Sequence, residues 1–158
     1  MKKILVFAIV TLFSISVFAE TVFEYNGVYY KETSSTTACV IANPDGTKYS
    51  GDIVIAVTPQ RGVFTTAIAD SAFFKCSSLK SIEIKGNLTS IGNDAFYRCS
   101  SLEKIYVYAS NSNYTADNGV LYNKQKTKII KYPEGKQGVK YTVASNVTSI
   151  QDHAFSGT

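Results

Sequence analysis

Histidine is all but missing from this 158-residue chain: His153 is the one copy. A Ser-His-Asp relay would rest on that residue alone, with no second histidine to act as base. Cysteine is nearly as scarce, and Cys39, Cys76 and Cys99 never approach ligand spacing with one another or with His153, which argues against a zinc site. The 10 glycines are scattered through "PDG", "EGK" and "NG" turns, so no glycine-rich loop is present to cradle a phosphate. Carboxylates do not cluster as a general acid and base would. The chain reads as non-catalytic, with no cofactor and no metal.

Long apolar runs are also lacking, with one exception at residues 4–18, preceded by Lys2 and Lys3. Val17 and Ala19 are small enough for the −3 and −1 positions of a signal-peptidase site, so residues 1–19 read as a secretory signal cleaved after Ala19. A retained membrane helix is the poorer reading, because the run falls short of the ~20 residues a span requires. The mature chain is expected to carry no transmembrane span, and no cysteine follows the run to accept a lipid. The formal charge of +4 includes Lys2 and Lys3, while every acidic residue lies at or beyond Glu20; without the signal about +2 remains. That is too little for a phosphate-neutralising surface, so nucleic acid is not an expected partner.

What the chain does have is repetition. "IADSAFFKCSSL" at residues 68–79 returns as "IGNDAFYRCSSL" at residues 91–102, 23 positions on. Ala72-Phe73 falls on Ala95-Phe96, Cys76 on Cys99, and Ile82 and Ile84 on Ile105 and Val107. A further copy lies 59 positions on, where "NLTSIGNDAF" becomes "NVTSIQDHAF". A fixed period in the twenties marks an architecture whose units bury their apolar edges against neighbouring units. "SIEIK" and "KIYVY" alternate apolar with other residues, as a strand buried on one face does. Ala95, Phe96, Cys99 and Leu102 recur at helix-like spacings of three and four. Asp70, Asn93 and Asp152 each precede an Ala-Phe by two positions, where they would cap a short helical turn. The expected fold is α/β: a leucine-rich-repeat solenoid with a short strand and a short helical or 3₁₀ segment per ~23-residue repeat. An all-β sandwich with coincidental internal similarity is the alternative.

The pattern LxxIxIxxxxTSIGxxAFxxCxxL resembles the BspA-like leucine-rich-repeat surface proteins. Leu79, Ile82, Ile84, Thr89, Ser90, Ile91, Gly92, Ala95, Phe96 and Cys99 carry it. "DNGVLYNKQKTKIIKYPEGK" at residues 117–136 is similar to the hairpin-bearing repeat of that family. "YSGDIVIA" at residues 49–56 is similar to its entry strand, though Ala56 and Ala144 stand where proline is common. The resemblance covers about residues 49–158, with the hairpin insertion at about 109–139 and a last repeat left incomplete. Residues 20–48 lack the motif; "VFEYNGVYYK" and "TACVIA" read as strands of an N-terminal β cap. The chain stops inside a repeat, as a fragment of a longer protein would.

Equivalent residues of stacked repeats form ladders, so Cys76 and Cys99 read first as small buried hydrophobes, with a disulfide between neighbouring turns as the other option. His153, at the place of Ser71 and Asp94, reads as a solvent-exposed position. Three Asn-x-Thr sequons, at Asn87, Asn113 and Asn146, are explained by the repeat itself, two of them occupying one repeat position.

Two surfaces remain as ligand candidates. With Ile82, Ile84, Ile105, Val107, Tyr141 and Val143 inward, Ser81, Glu83, Lys85, Lys104, Tyr106, Tyr108, Thr142 and Ala144 face outward. Of these, Glu83, Lys85, Lys104, Tyr106, Tyr108 and Thr142 form the candidate ligand face, and the tyrosines supply flat amphipathic contact area unless the insertion covers them. The second candidate is a basic hairpin, Lys124, Lys126, Lys128 and Lys131, which either attracts acidic glycans or is a solvated strand edge. The family resemblance implies an exported protein, secreted or at the cell surface, that binds an extracellular protein or glycan in adhesion. The alternative is a structural spacer or targeting repeat region of a longer secreted protein or enzyme.

Overall fold

The computed structural model describes residues 4–5, 21–60, 62–138 and 140–158. Apart from Ile4 and Leu5, the expected signal segment and its cleavage after Ala19 lie outside these residues.

Among the described residues thirteen strands build three sheets: β1 Ile4–Leu5, β2 Val22–Tyr25, β3 Val28–Glu32, β4 Thr37–Val40, β5 Gly51–Ile55, β6 Phe64–Ile68, β7 Leu79–Ile84, β8 Ser90–Ile91, β9 Lys104–Val107, β10 Tyr114–Asp117, β11 Val120–Asn123, β12 Lys128–Lys131 and β13 Ser149–Ile150. The first sheet runs β1-β2-β3-β4-β6-β8, the second β10-β11-β12-β13 and the third β5-β7-β9. β1 to β4 pair antiparallel, whereas β4-β6-β8 and β5-β7-β9 are parallel. Asn26-Gly27 and Asn118-Gly119 join β2 to β3 and β10 to β11; all four residues sit at positive φ, as a two-residue type I′ hairpin requires.

The expected α/β class and its strand-plus-helix solenoid are overturned. Among the described residues every regular element is a strand, and the Ala-Phe segments are turns. The backbone gives the reason. Ser71, Asp94 and His153 have φ of 55°, 53° and 58°, and Lys75, Arg98 and Gly157, four residues later, have 59°, 60° and 82°. Two left-handed residues bracket each Ala-Phe, so no run of right-handed residues is long enough to close a helix. Alternate amides bond instead to the neighbouring repeat, while Ala72, Phe74 and Cys76 N–H donate three residues back within the turn. Ser71 N–H donates to Asn93 O at 2.9 Å, Phe73 to Ala95 at 2.8 Å and Lys75 to Tyr97 at 2.9 Å. Asp70 caps no helix either; its Oδ1 accepts the Asn93 amide of the next repeat at 2.6 Å.

Packing follows the repeats. Ile53, Ile55, Ile82, Ile84 and Ile105 point from β5-β7-β9 into one core with Phe73, Phe96, Cys99 and Leu102. Tyr49, Phe73 and Phe96 form an aromatic column, with ring centroids 5.0 and 5.7 Å apart. The Cys76 and Cys99 thiols are buried and not bonded to each other. Cys99 Sγ donates to Phe73 O at 3.0 Å, and burial pushes its pKa up to about 12.

The insertion takes a place in the stack. Tyr132 N–H donates to Ala154 O at 2.9 Å, as Phe73 does to Ala95, and the Tyr132 ring lies 5.3 Å from that of Phe155. A second apolar cluster, Val120, Tyr122, Ile129, Tyr132 and Ala154, joins the hairpin to the last turn. Among the described residues no helix is long and apolar enough to cross a membrane.

Candidate functional site

The parallel register of β5-β7-β9 fixes which outward side chains are neighbours. Asp52, Ser81 and Lys104 form one row, and Val54, Glu83 and Tyr106 the next. Lys85 and Tyr108 continue the face just beyond the strands. The insertion does not cover the tyrosines: Tyr106 is 47% and Tyr108 46% exposed. Lys104 Nζ lies 5.5 Å from the Tyr106 ring centroid and Lys85 Nζ 5.7 Å from that of Tyr108, within cation–π reach. Lys85 also lies 3.8 Å from Glu83 Oε1. A hydrogen bond to Tyr106 holds the Lys104 ammonium above its ordinary pKa, and a hydrogen bond to Glu83 raises that of Tyr108. The face is thus a chain of aromatic rings and alternating charges.

Asp52 and Val54 belong to it and were not among the expected residues. Ser81 Oγ donates to Asp52 Oδ1 at 2.5 Å, which leaves Ser81 buried. The alternation "GDIVI" carried the signal, since inward Ile53 and Ile55 leave Asp52 and Val54 outward.

Thr142 and Ala144 are exposed but stand apart from this face, because residues 141–144 form no strand. Val143, expected inward, is 42% exposed. Tyr141 is half-buried on Tyr132 and Phe155, with its hydroxyl against that of Tyr122. The place beside β9 that the alternation reserved for this segment belongs to the hairpin tip. Ile105 N–H donates to Gly119 O at 2.9 Å, and a Cβ on Gly119 would meet Lys104 Cβ at 2.9 Å.

The four hairpin lysines divide. Lys124 Nζ donates to Ala109 O at 3.0 Å and Asn111 O at 2.5 Å, fastening the turn to the body. Lys131 is 3% exposed and ion-paired with Glu134 at 3.0 Å, so it is an interior residue rather than part of a basic surface. Glu134 Oε1 also accepts the Arg98 amide at 2.9 Å, and Lys131 reaches His153 O at 3.3 Å. The pair fills the gap that the insertion opens between two Ala-Phe turns. Lys126 is exposed and paired with Asp117 at 2.8 Å. Lys128 is half-buried and lines a groove of about 610 Å³ with Asn93, Asp94, Ser149, Asp152 and His153.

His153 lies 3.9 Å from Asp94 Oδ1 and packs against Tyr97 with the rings tilted by 41° and centroids 4.6 Å apart. Among the described residues no three His, Cys, Asp or Glu side chains group to hold a metal. A groove of about 550 Å³ runs along β9, lined by Lys104, Tyr106 and Val107 on one side and by Asn118, Lys136 and Gln137 on the other.

The family model "BspA type Leucine rich repeat region" matches residues 63–158, in 6 copies, which is more than half of the chain. No curated protein matches. Similar solved structures include a leucine-rich repeat protein from Eubacterium ventriosum (18% identity, TM-score 0.38, 82% of this chain and 55% of that one). The pneumococcal vaccine antigen PcpA is similar at 14% identity and TM-score 0.42, over 86% of this chain and 62% of that one. A leucine rich cell surface protein from Faecalibacterium prausnitzii matches at 14% identity and TM-score 0.39, over 85% of this chain and 67% of that one. The chain spans 55% to 67% of the length of these three structures.

Proposed function

The chain belongs to the BspA type leucine-rich-repeat family, and from that premise we propose that it is a non-catalytic, exported protein of the cell surface. Its role is adhesion, through a protein or glycan ligand held on the outward face of β5-β7-β9. One observation carries the reading. Tyr106 on β9 and Tyr108 just beyond it are half-exposed, while Ile105 is fully buried in the core and Val107 packs against it, and cations already seat against both rings. Rigid aromatic groups with adjacent charge supply contact area at low entropic cost. β2 to β4 serve as the cap that closes the first repeat, pairing with it through β4 and β6.

The test is a surface array of extracellular-matrix proteins and acidic glycans, probed with the purified protein and a Tyr106→Ala/Tyr108→Ala variant. Saturable binding that the variant loses while keeping its Tm supports the face. Binding that survives the variant but disappears at moderate salt moves the site to exposed lysines such as Lys126. A folded protein that binds nothing on the array favours a spacer role.

A further inference from the structure

Sheet β5-β7-β9 ends at β9, and the outer edge of that strand is only partly closed. Tyr108 N–H donates to Ile84 O on the β7 side at 3.1 Å, and Ile105 N–H donates outward to Gly119 O at 2.9 Å. Edge direction alternates along a strand, so the Val107 N–H and the carbonyls of Ile105 and Val107 also face outward, into the groove of about 550 Å³. The Gly119 contact stops at Ile105. In a parallel pair one incoming residue donates to the carbonyl before its neighbour and accepts from the amide after it. Ile105 O and Val107 N–H present that pair of groups around Tyr106, in the orientation that β5, β7 and β9 already share.

We propose that the groove between β9 and residues 136–137 receives an extended, acidic peptide segment of a partner protein, added as a fourth parallel strand at Val107. This rests on the reading of β5-β7-β9 as the binding face and names the chemistry of its ligand. A row of backbone donors and acceptors selects a peptide over a glycan, because a second strand matches its spacing. The acidic preference comes from the walls. Lys104 and Lys136 line the groove, while the one lining carboxylate, Glu103, lies 3.8 Å from Lys80. β9 against β9 of a second copy would bring lysines together, so self-pairing at this edge is disfavoured.

The probe is an acetylated, amidated hexapeptide alternating valine and glutamate, titrated into the purified full chain with amide exchange read by NMR. The expected result is saturable binding that slows exchange at Val107, weakens about three- to tenfold in Lys104→Glu or Lys136→Glu, and weakens with salt. The peptide methylated at every backbone nitrogen is expected not to bind. Thermal melts of both variants separate lost binding from lost folding. Equal binding by the methylated peptide or by a valine-lysine peptide overturns the proposal. So does an unprotected Val107, a sulfated polysaccharide occupying β9 where the peptide does not, or self-association through this edge in sedimentation. The array arm stays separate. Array binding lost in Tyr106→Ala/Tyr108→Ala, without peptide protection of Val107, overturns the strand proposal alone. Protection of Val107 with a silent array overturns only the adhesive reading.

Discussion

Replacing Glu134 by alanine isolates the device that bridges the insertion. The Glu134 and Lys131 side chains are 5% and 4% exposed and 3.0 Å apart. Alanine leaves a buried ammonium with a backbone carbonyl, His153 O at 3.3 Å, as its remaining partner. It also removes the acceptor of the Arg98 amide. Breaking one side of a buried pair costs about 3–5 kcal/mol, because the surviving charge stays desolvated. Lys131→Met leaves the carboxylate with the Arg98 amide and is expected to cost less, about 2–3 kcal/mol.

The double variant Lys131→Met/Glu134→Ala removes both charges and leaves one unpaired amide, so about 1–3 kcal/mol is expected. The two single costs therefore sum to more than the double, with a coupling of at least about 2 kcal/mol. Urea unfolding followed by tyrosine fluorescence suits a chain with 11 Tyr and 0 Trp. A cost below about 1 kcal/mol for Glu134→Ala at unchanged m would show the pair to be solvated and refute the reasoning. The same series bears on ligand binding, since Lys131→Met is expected to leave anion binding intact in the folded protein.

Gly92→Ala places a Cβ 2.3 Å from Asp70 N and 2.6 Å from Ala69 C, backbone atoms held by the neighbouring repeat. A loss of about 3 kcal/mol in urea unfolding is expected, and a neutral result would mean that repeats slide apart easily. Thr65 is 2% exposed and its Oγ1 has no hydrogen-bond partner among the described residues, so Thr65→Val is expected to raise stability by about 1 kcal/mol. Burial lifts Cys99 from 9.0 to about 12, so the folded chain keeps a proton that the unfolded chain releases above pH 9. The associated stability is present below that pH and is lost as pH rises toward 12, at about 1.4 kcal/mol per pH unit. Cys99→Ala is expected to flatten the alkaline fall of the urea midpoint accordingly; parallel curves would show the thiol to be solvated.

The parts of the fold legible in the sequence were those set by burial. The isoleucine alternation, the Phe73 and Phe96 column and the Cys76 and Cys99 positions all followed from equivalent residues meeting across repeats. The helix did not follow, because spacings of three and four describe two successive turns as well as a helix. Gly157, standing at the place of Lys75 and Arg98, was the residue that hinted at a left-handed backbone there. Lys131 was misread for a different reason. A lysine-rich segment normally stays solvated, and its buried partner Glu134 acts from beyond the strand, after Pro133. The stretch at residues 141–144 has the right alternation, but alternation does not name the strand's neighbour, and Gly119 had already taken that edge.

The insertion affects the two sides of the repeat stack in opposite ways. On the turn side it continues the ladder: Tyr132 N–H meets Ala154 O, and Glu134 receives the amide of Arg98. Its buried charge is consumed there, with Lys131 on Glu134, and Lys124 is tied up on the carbonyls of Ala109 and Asn111. On the strand side it breaks the ladder after Ile105, leaving Lys104, Tyr106 and Lys136 around the vacant half of the β9 edge. A segment that looks basic in sequence is therefore expected to attract anions weakly at its own surface, while the β9 backbone groups it leaves uncovered have cations beside them. This asymmetry predicts where salt acts. Raising ionic strength is expected to weaken peptide binding in the parent protein and in Lys126→Ala alike, and to lose most of its effect in Lys104→Gln/Lys136→Gln. Were Lys126→Ala to abolish the salt dependence instead, the hairpin would be the anion site and the β9 groove only a gap.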